Sequence, residues 1–232
     1  MQIQAHSPHK LAARLGFWSA IVIAVIFILF PICYVAILQI GGVFEWTNLA
    51  DYTTVSHDPT AIYRHAAQAM ILLFTLLYVI LLSVIYEFLP ASKRMWGRTS
   101  LLFGLGFAVL SGSHYFMQIS TVRLNLTRGT TEGLTQFVQA NPAAAIAAIN
   151  MLGVTLFLGL SSLFIAPVFD NGRIERIIKI AFYGNAISCL LGGVAFIFDW
   201  VALIFLTVNL GMGAAVLVAA IALTIRFHQM AR

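Results

Sequence analysis

Six runs of apolar residues, each long enough to cross a lipid bilayer, fill most of this chain and confine its charges to the gaps between them. They lie at Phe17 to Ile40, Ala61 to Leu89, Thr99 to Ser120, Pro142 to Phe169, Ile177 to Phe198 and Val201 to Ile225. A helix rises about 1.5 Å per residue and the hydrocarbon layer is about 30 Å thick, so roughly 20 apolar residues make one crossing. Hydrocarbon offers no partner to a backbone amide, which leaves the helix as the spanning element for runs of this length. The pattern therefore predicts an all-α, polytopic transmembrane bundle of six helices forming a single domain over residues 1–232.

Composition identifies the solvent. Hydrophobic residues make up 61% and charged residues 9% of the chain, against about 45–50% and 25% in soluble domains. Six crossings and their connections leave no room within 232 residues for a soluble catalytic or nucleic-acid-binding domain. The net charge of +5 is thus assigned to the membrane and its lipids, and nucleic acid is not expected as a partner. Cys33 and Cys189 both lie inside apolar runs with no CxxC pairing and read as small core residues. The first run is too long for a signal-peptide core and lacks a small-residue cleavage site, so it is expected to stay as an anchor.

Orientation follows from lysine and arginine in the short loops. Lys10, Arg14, Lys93, Arg94, Arg98, Arg173, Arg176, Lys179, Arg226 and Arg232 fall on one side, and only Arg64, Arg123 and Arg128 on the other. Both termini are expected in the cytoplasm, with the chain in the cell inner membrane. Asp58-Pro59 and Asn141-Pro142 look like helix starts, Pro90 like a stop, and Pro31 predicts a kink in the first run. In the second outer loop, Leu134, Phe137 and Val138 fall at helical spacing within Thr131 to Ala140, which predicts a short amphipathic helix on the membrane surface.

Polar side chains inside hydrocarbon are costly, and those that persist usually face the bundle interior or a water-filled cavity. His65, Gln68 and Thr75 share a face of the second run, and Ser111, His114 and Gln118 a face of the third. The fifth run carries a narrow stripe of Asn185, Ser188, Gly192, Ala195 and Asp199. Asn150 and Asn209 sit at similar depth in the fourth and sixth. One reading gathers His65, Gln68, Ser111, His114, Gln118, Asn150, Asn185, Asp199 and Asn209 around a pocket that opens outward and is floored by asparagines. The other makes the amides and serines packing glue, worth about 0.6 kcal/mol per interhelical hydrogen bond. Asp199-Trp200 also suits a tight turn, with aspartate as a cap and tryptophan anchored among headgroups. Arg64 beside such a pocket is suited to a carboxylate or phosphate headgroup.

His65 and His114, near one leaflet, could serve a membrane enzyme as acid and base, ligate a b-type haem, bind a metal or relay a proton, beside plain hydrogen bonding. Further ligands would have to come from Asp199, Glu45 and His57, two of them in loops, so the residues assign no metal set. No H-E-x-x-H, G-x-S-x-G, phosphate loop, redox cysteine pair or potassium-filter sequence is present. The residues therefore assign no catalytic set and no cofactor. Three crossings followed by three of opposite orientation also fit an inverted-repeat transporter, on topology alone.

The stretches HYFMQISTVRLNL at His114 to Leu126 and GLTQFVQANPAAAIAAINMLGVTLFLGLSSLFIAPVF at Gly133 to Phe169 resemble a group of prokaryotic six-helix integral membrane proteins similar to the DUF4386 type. The resemblance covers about half of the chain and implies the same architecture, with no activity or site attached. The sequence reading is then a bundle that binds a small amphipathic or lipophilic ligand in an outward-facing polar pocket, as a sensor, carrier or accessory subunit.

Overall fold

The computed structural model describes residues 8–42, 44–56 and 58–231, so His57 and Arg232 lie outside the described residues. Among those described, the secondary structure is helical throughout and six helices are long and apolar enough to cross a membrane. The chain is a multi-pass membrane protein. The helices are α1 (Pro8–Gly41), α2 (Leu49–Ser56), α3 (Ala61–Glu87), α4 (Ala91–Arg128), α5 (Ala145–Val168), α6 (Gly172–Ile197) and α7 (Val201–Ala231), of which α2 alone does not span.

The spanning helices form a ring. Each packs against the one before it, and α7 closes the circle on α1. The connections 88–90, 169–171 and 198–200 are too short to reach any helix but an antiparallel neighbour. Inside lie Phe74, Tyr78, Leu82, Phe107, Leu158, Ile178 and Leu223, all buried, while Leu102, Ile180, Ile187 and Leu206 face outward where acyl chains cover them. Interior packing is close. A central void of about 10 Å³ between α1, α3, α6 and α7 has room for about one water.

At the end of the ring where α1 begins and α7 ends, charge pairs tie the loops down. Lys93 Nζ lies 2.6 Å from Asp170 Oδ1 and donates to the Val168 carbonyl at 2.9 Å, and Lys93 holds the Asp170 carboxyl below the usual carboxylate range. Arg226 pairs with Glu175 at 2.8 Å, and Glu175 also accepts from the Asn171 amide.

The opposite end departs from the sequence expectations. The third run does not stop at Ser120: α4 continues through a π-helical turn, Gln118–Val122, and out to Arg128. Its polar residues fold back on the helix, with Asn125 Nδ2 bonded to the Thr121 carbonyl and Thr127 Oγ1 to that of Arg123. Gly129, with φ of 70°, ends it in the left-handed conformation glycine adopts freely. The fourth helix begins at Ala145 rather than Pro142, because Asn141 Oδ1 accepts from the Ala143 amide and holds the intervening residues as a turn. Through Pro31, α1 remains one helix.

The surface helix expected over Thr131 to Ala140 is not formed. Only Leu134–Gln136 makes a single 3₁₀ turn, and Leu134 and Val138 are buried in the protein while Phe137 is exposed. These two side chains find a better apolar partner than the membrane surface in a cluster with Tyr52, Val122 and Leu126. Tyr52 comes from α2, whose start is fixed by Asn48 and Asp51: the Asp51 amide donates to Asn48 Oδ1 at 3.0 Å, and Asn48 Nδ2 returns a bond to Asp51 Oδ2 at 2.8 Å. The result is a protein cap over this end of the ring.

Candidate functional site

Under that cap lies a cleft of about 300 Å³ between α2, the start of α3 and the extension of α4. It is lined by Tyr52 and Ser56 from α2, by Ala61, Arg64, His65 and Gln68 from α3, and by Gln118, Val122, Arg123, Leu126 and Thr127 from α4. The lining carries two arginines and a histidine and no acid. Three of the expected residues, His65, Gln68 and Gln118, thus share one cavity.

Their polar groups are organised from within. His65 Nδ1 lies 3.2 Å from Gln68 Oε1, and Gln68 Nε2 donates to Gln139 Oε1 at 2.9 Å. Gln68 Oε1 can only accept, so His65 Nδ1 carries the hydrogen. Gln118 holds the capping loop by its backbone, with Nε2 donating to the Phe137 carbonyl at 2.7 Å and Oε1 accepting from the Gln139 amide at 3.0 Å. Arg64 is a brace rather than a free cation. It donates to Thr60 Oγ1 and to the Val55 carbonyl, and its Nη2 is 3.3 Å from Asp58 Oδ1. Asp58 in turn accepts from the amide and hydroxyl of Thr60. Burial pushes the Tyr52 phenol above its ordinary pKa, partly offset by Arg64, so its hydroxyl remains a proton donor.

Ser111, His114 and Asn150 form a second group between α4 and α5. Ser111 and His114 are fully buried. His114 Nδ1 lies 3.2 Å from the Ile146 carbonyl, with Gln139 beside the imidazole. One turn away along α4, Ser111 Oγ comes within 2.6 Å of where a Cβ on Gly153 would stand. Asn150 lies between Ile146 and Gly153 on α5, beside the Tyr115 hydroxyl. Ser111 Oγ, His114 Nε2 and Asn150 Oδ1 are each buried without a hydrogen-bond partner.

The remaining expected residues lie elsewhere. Asn185 Nδ2 donates to Ser162 Oγ at 2.7 Å, in a buried network with Tyr78 and Ser161, which exchanges bonds with Ser100 across α4 and α5. It crosslinks four helices far from the cleft, and the sequence reading did not single out Tyr78, Ser100, Ser161 or Ser162. Asn209 is exposed on the outer face of α7, within the π-helical stretch Phe205–Met212. Asp199 is exposed in the turn after α6 with φ of 55°, the left-handed position usually given to glycine. The Trp200 amide reaches back to the Ala195 carbonyl at 2.8 Å and the Asp199 amide to that of Phe196 at 3.3 Å, closing a Schellman turn. Asp199→Gly is accordingly expected to raise stability by about 0.5 kcal/mol, the relief of left-handed strain less glycine's extra entropy in the unfolded chain. Thermal unfolding in detergent reads this directly, and a lower midpoint would contradict the turn assignment.

Arg123, which lines the cleft, was missed because the apolar run ends at Ser120, three residues before it. Among the described residues no group of three His, Cys, Asp or Glu side chains is placed to hold a metal ion. Compared with known proteins, no family model, curated protein or solved structure matches this chain.

Proposed function

We propose that this chain is an inner-membrane protein with both termini in the cytoplasm, which binds a small amphipathic ligand in the cleft at its outer end, as a sensor, carrier or accessory subunit. Ten of the thirteen lysines and arginines fall on the terminal side of the spans, the asymmetry expected of cytoplasmic loops. The observation that carries the binding reading is the cleft itself: about 300 Å³, at the lower limit of small-molecule sites. Its walls are polar toward α3 and apolar at Val122 and Leu126, and it lies where α3 and α4 leave the apolar layer. An occupant there would place its polar end among the side chains of the cap and its tail toward acyl chains.

Purified protein in nanodiscs, titrated with dansylated undecanoic acid, is expected to show saturable fluorescence enhancement. Ala61 lines the cleft and contributes no polar bond from its side chain, so Ala61→Trp fills the space without removing an interaction. That variant is expected to weaken binding about tenfold or more by steric exclusion. Saturable binding that Ala61→Trp leaves intact would place the ligand elsewhere and end the proposal.

A further inference from the structure

We propose that the cleft selects its occupant by an anionic oxygen group, phosphate or carboxylate, with the Arg123 guanidinium as the primary contact. This rests on the ligand-binding reading above and adds the chemical class of the ligand.

Several polar groups of the lining are already engaged. Arg64 is bonded to Thr60 and the Val55 carbonyl, and its charge is paired with Asp58. Gln68 and Gln118 are spent on Gln139, His65 and Phe137. Arg123 differs. Its Nε donates to the Ile119 carbonyl at 2.9 Å, which orients the side chain, and its terminal Nη atoms have neither a hydrogen bond nor an ion pair among the described residues. A guanidinium anchored at Nε presents the remaining fork to a planar or tetrahedral oxyanion, with part of the ordering already done.

The Tyr52 hydroxyl, contributed by α2, also has no hydrogen-bond partner among the described residues, and burial raises its pKa further above its ordinary value. The Arg123 fork and the Tyr52 hydroxyl are thus donor groups of the lining with no partner among the described residues, and no carboxylate lines the cleft to compete for them. A neutral ligand would leave Arg123 with water alone. An anionic one replaces that water with charge-assisted bonds, roughly twice as strong as neutral ones.

Two sources supply such a group: the headgroup of an anionic lipid, or a soluble phosphate. The test uses the full chain in maltoside detergent with W18F, W96F and W200F, leaving Trp46, whose ring lies 5.9 Å from Tyr52, as the reporter. Three probes are titrated: dioctanoyl phosphatidylglycerol, dioctanoylglycerol and inorganic phosphate. The phospholipid is expected to bind about tenfold or more tightly than dioctanoylglycerol, the difference expected of a hydrogen-bonded charge. R123Q is expected to abolish that preference, whereas R128Q, outside the lining, should preserve it. Competition by inorganic phosphate at concentrations similar to the phospholipid would support the proposal with a soluble anion as the source; competition only at far higher concentrations would support it with a lipid headgroup. Equal binding of phospholipid and dioctanoylglycerol would overturn the anion proposal and leave the amphipathic site standing, while binding of none of the three would overturn both. A preference that survives R123Q would also overturn it.

Discussion

Replacing Gln118 with leucine is expected to release the capping loop at a local cost of about 2–3 kcal/mol, the lower part of the range for stranding two polar groups. Gln118 is 2% exposed, and its carboxamide satisfies the Phe137 carbonyl and the Gln139 amide together. Leucine fills nearly the same volume, so packing is preserved while both backbone groups lose their partner. Phe137 and Gln139 are themselves exposed on their outer sides, which lets water compensate in part. The ring of spans does not depend on this loop, so global unfolding should move little. The change should appear instead as faster amide exchange across residues 134–141, by roughly 30-fold or more for 2 kcal/mol of local stability. Because Gln118 also lines the cleft, amphiphile binding should weaken with it. Unaltered exchange in Gln118→Leu would show that the apolar cluster alone holds the cap.

The spans were legible because hydrocarbon imposes length and apolarity on every crossing, whatever the helix packs against. Short-range faces were legible too, as the His65–Gln68 contact and the shared burial of Ser111 and His114 show. What the sequence could not show was how one face divides between different partners. His114 and Gln118 are one turn apart on α4, yet His114 Nδ1 faces the Ile146 carbonyl of α5 while Gln118 bonds only the backbone of the loop at 137–139, whose Gln139 also lies beside His114. That division depends on a loop returning from elsewhere in the chain, which leaves no local period to read.

Regular helical counting also breaks at the π-helical stretches. A π turn carries an extra residue and shifts everything beyond it by about 100° around the helix axis. Asn209, inside such a stretch, turns to the outer surface instead of joining Asn150. The stripe on α6 was recognised as a face, but its small residues meet neighbouring helices at contact distance rather than lining a chamber. Asn185 bonds Ser162 in the interior. The polar residues of this bundle thus separate into a cleft, a buried group beneath the cap and an interhelical crosslink, where the sequence reading gathered them into one pocket.

Because α6 packs tightly at Gly193 and loosely at Gly184, glycine-to-alanine substitution at these two positions should have opposite signs. A Cβ built on Gly184 meets nothing nearer than the Ala215 methyl at 3.9 Å. Gly184→Ala should therefore gain helix propensity without strain and stabilise the protein by up to about 1 kcal/mol. A Cβ on Gly193 would stand 2.8 Å from Thr155 Oγ1 and 3.1 Å from Thr155 Cβ. Rotating the threonine cannot remove the second contact, because Cβ is fixed to the backbone, and its hydroxyl is engaged with the Met151 carbonyl at 2.7 Å. To admit the methyl, α5 and α6 must move apart, at an overpacking cost of about 1–3 kcal/mol that exceeds the propensity gain. Thermal or detergent-denaturation midpoints should rise for Gly184→Ala and fall for Gly193→Ala. Equal shifts of the same sign would mean that backbone propensity, rather than the approach of α6 to Thr155, governs this face of the ring.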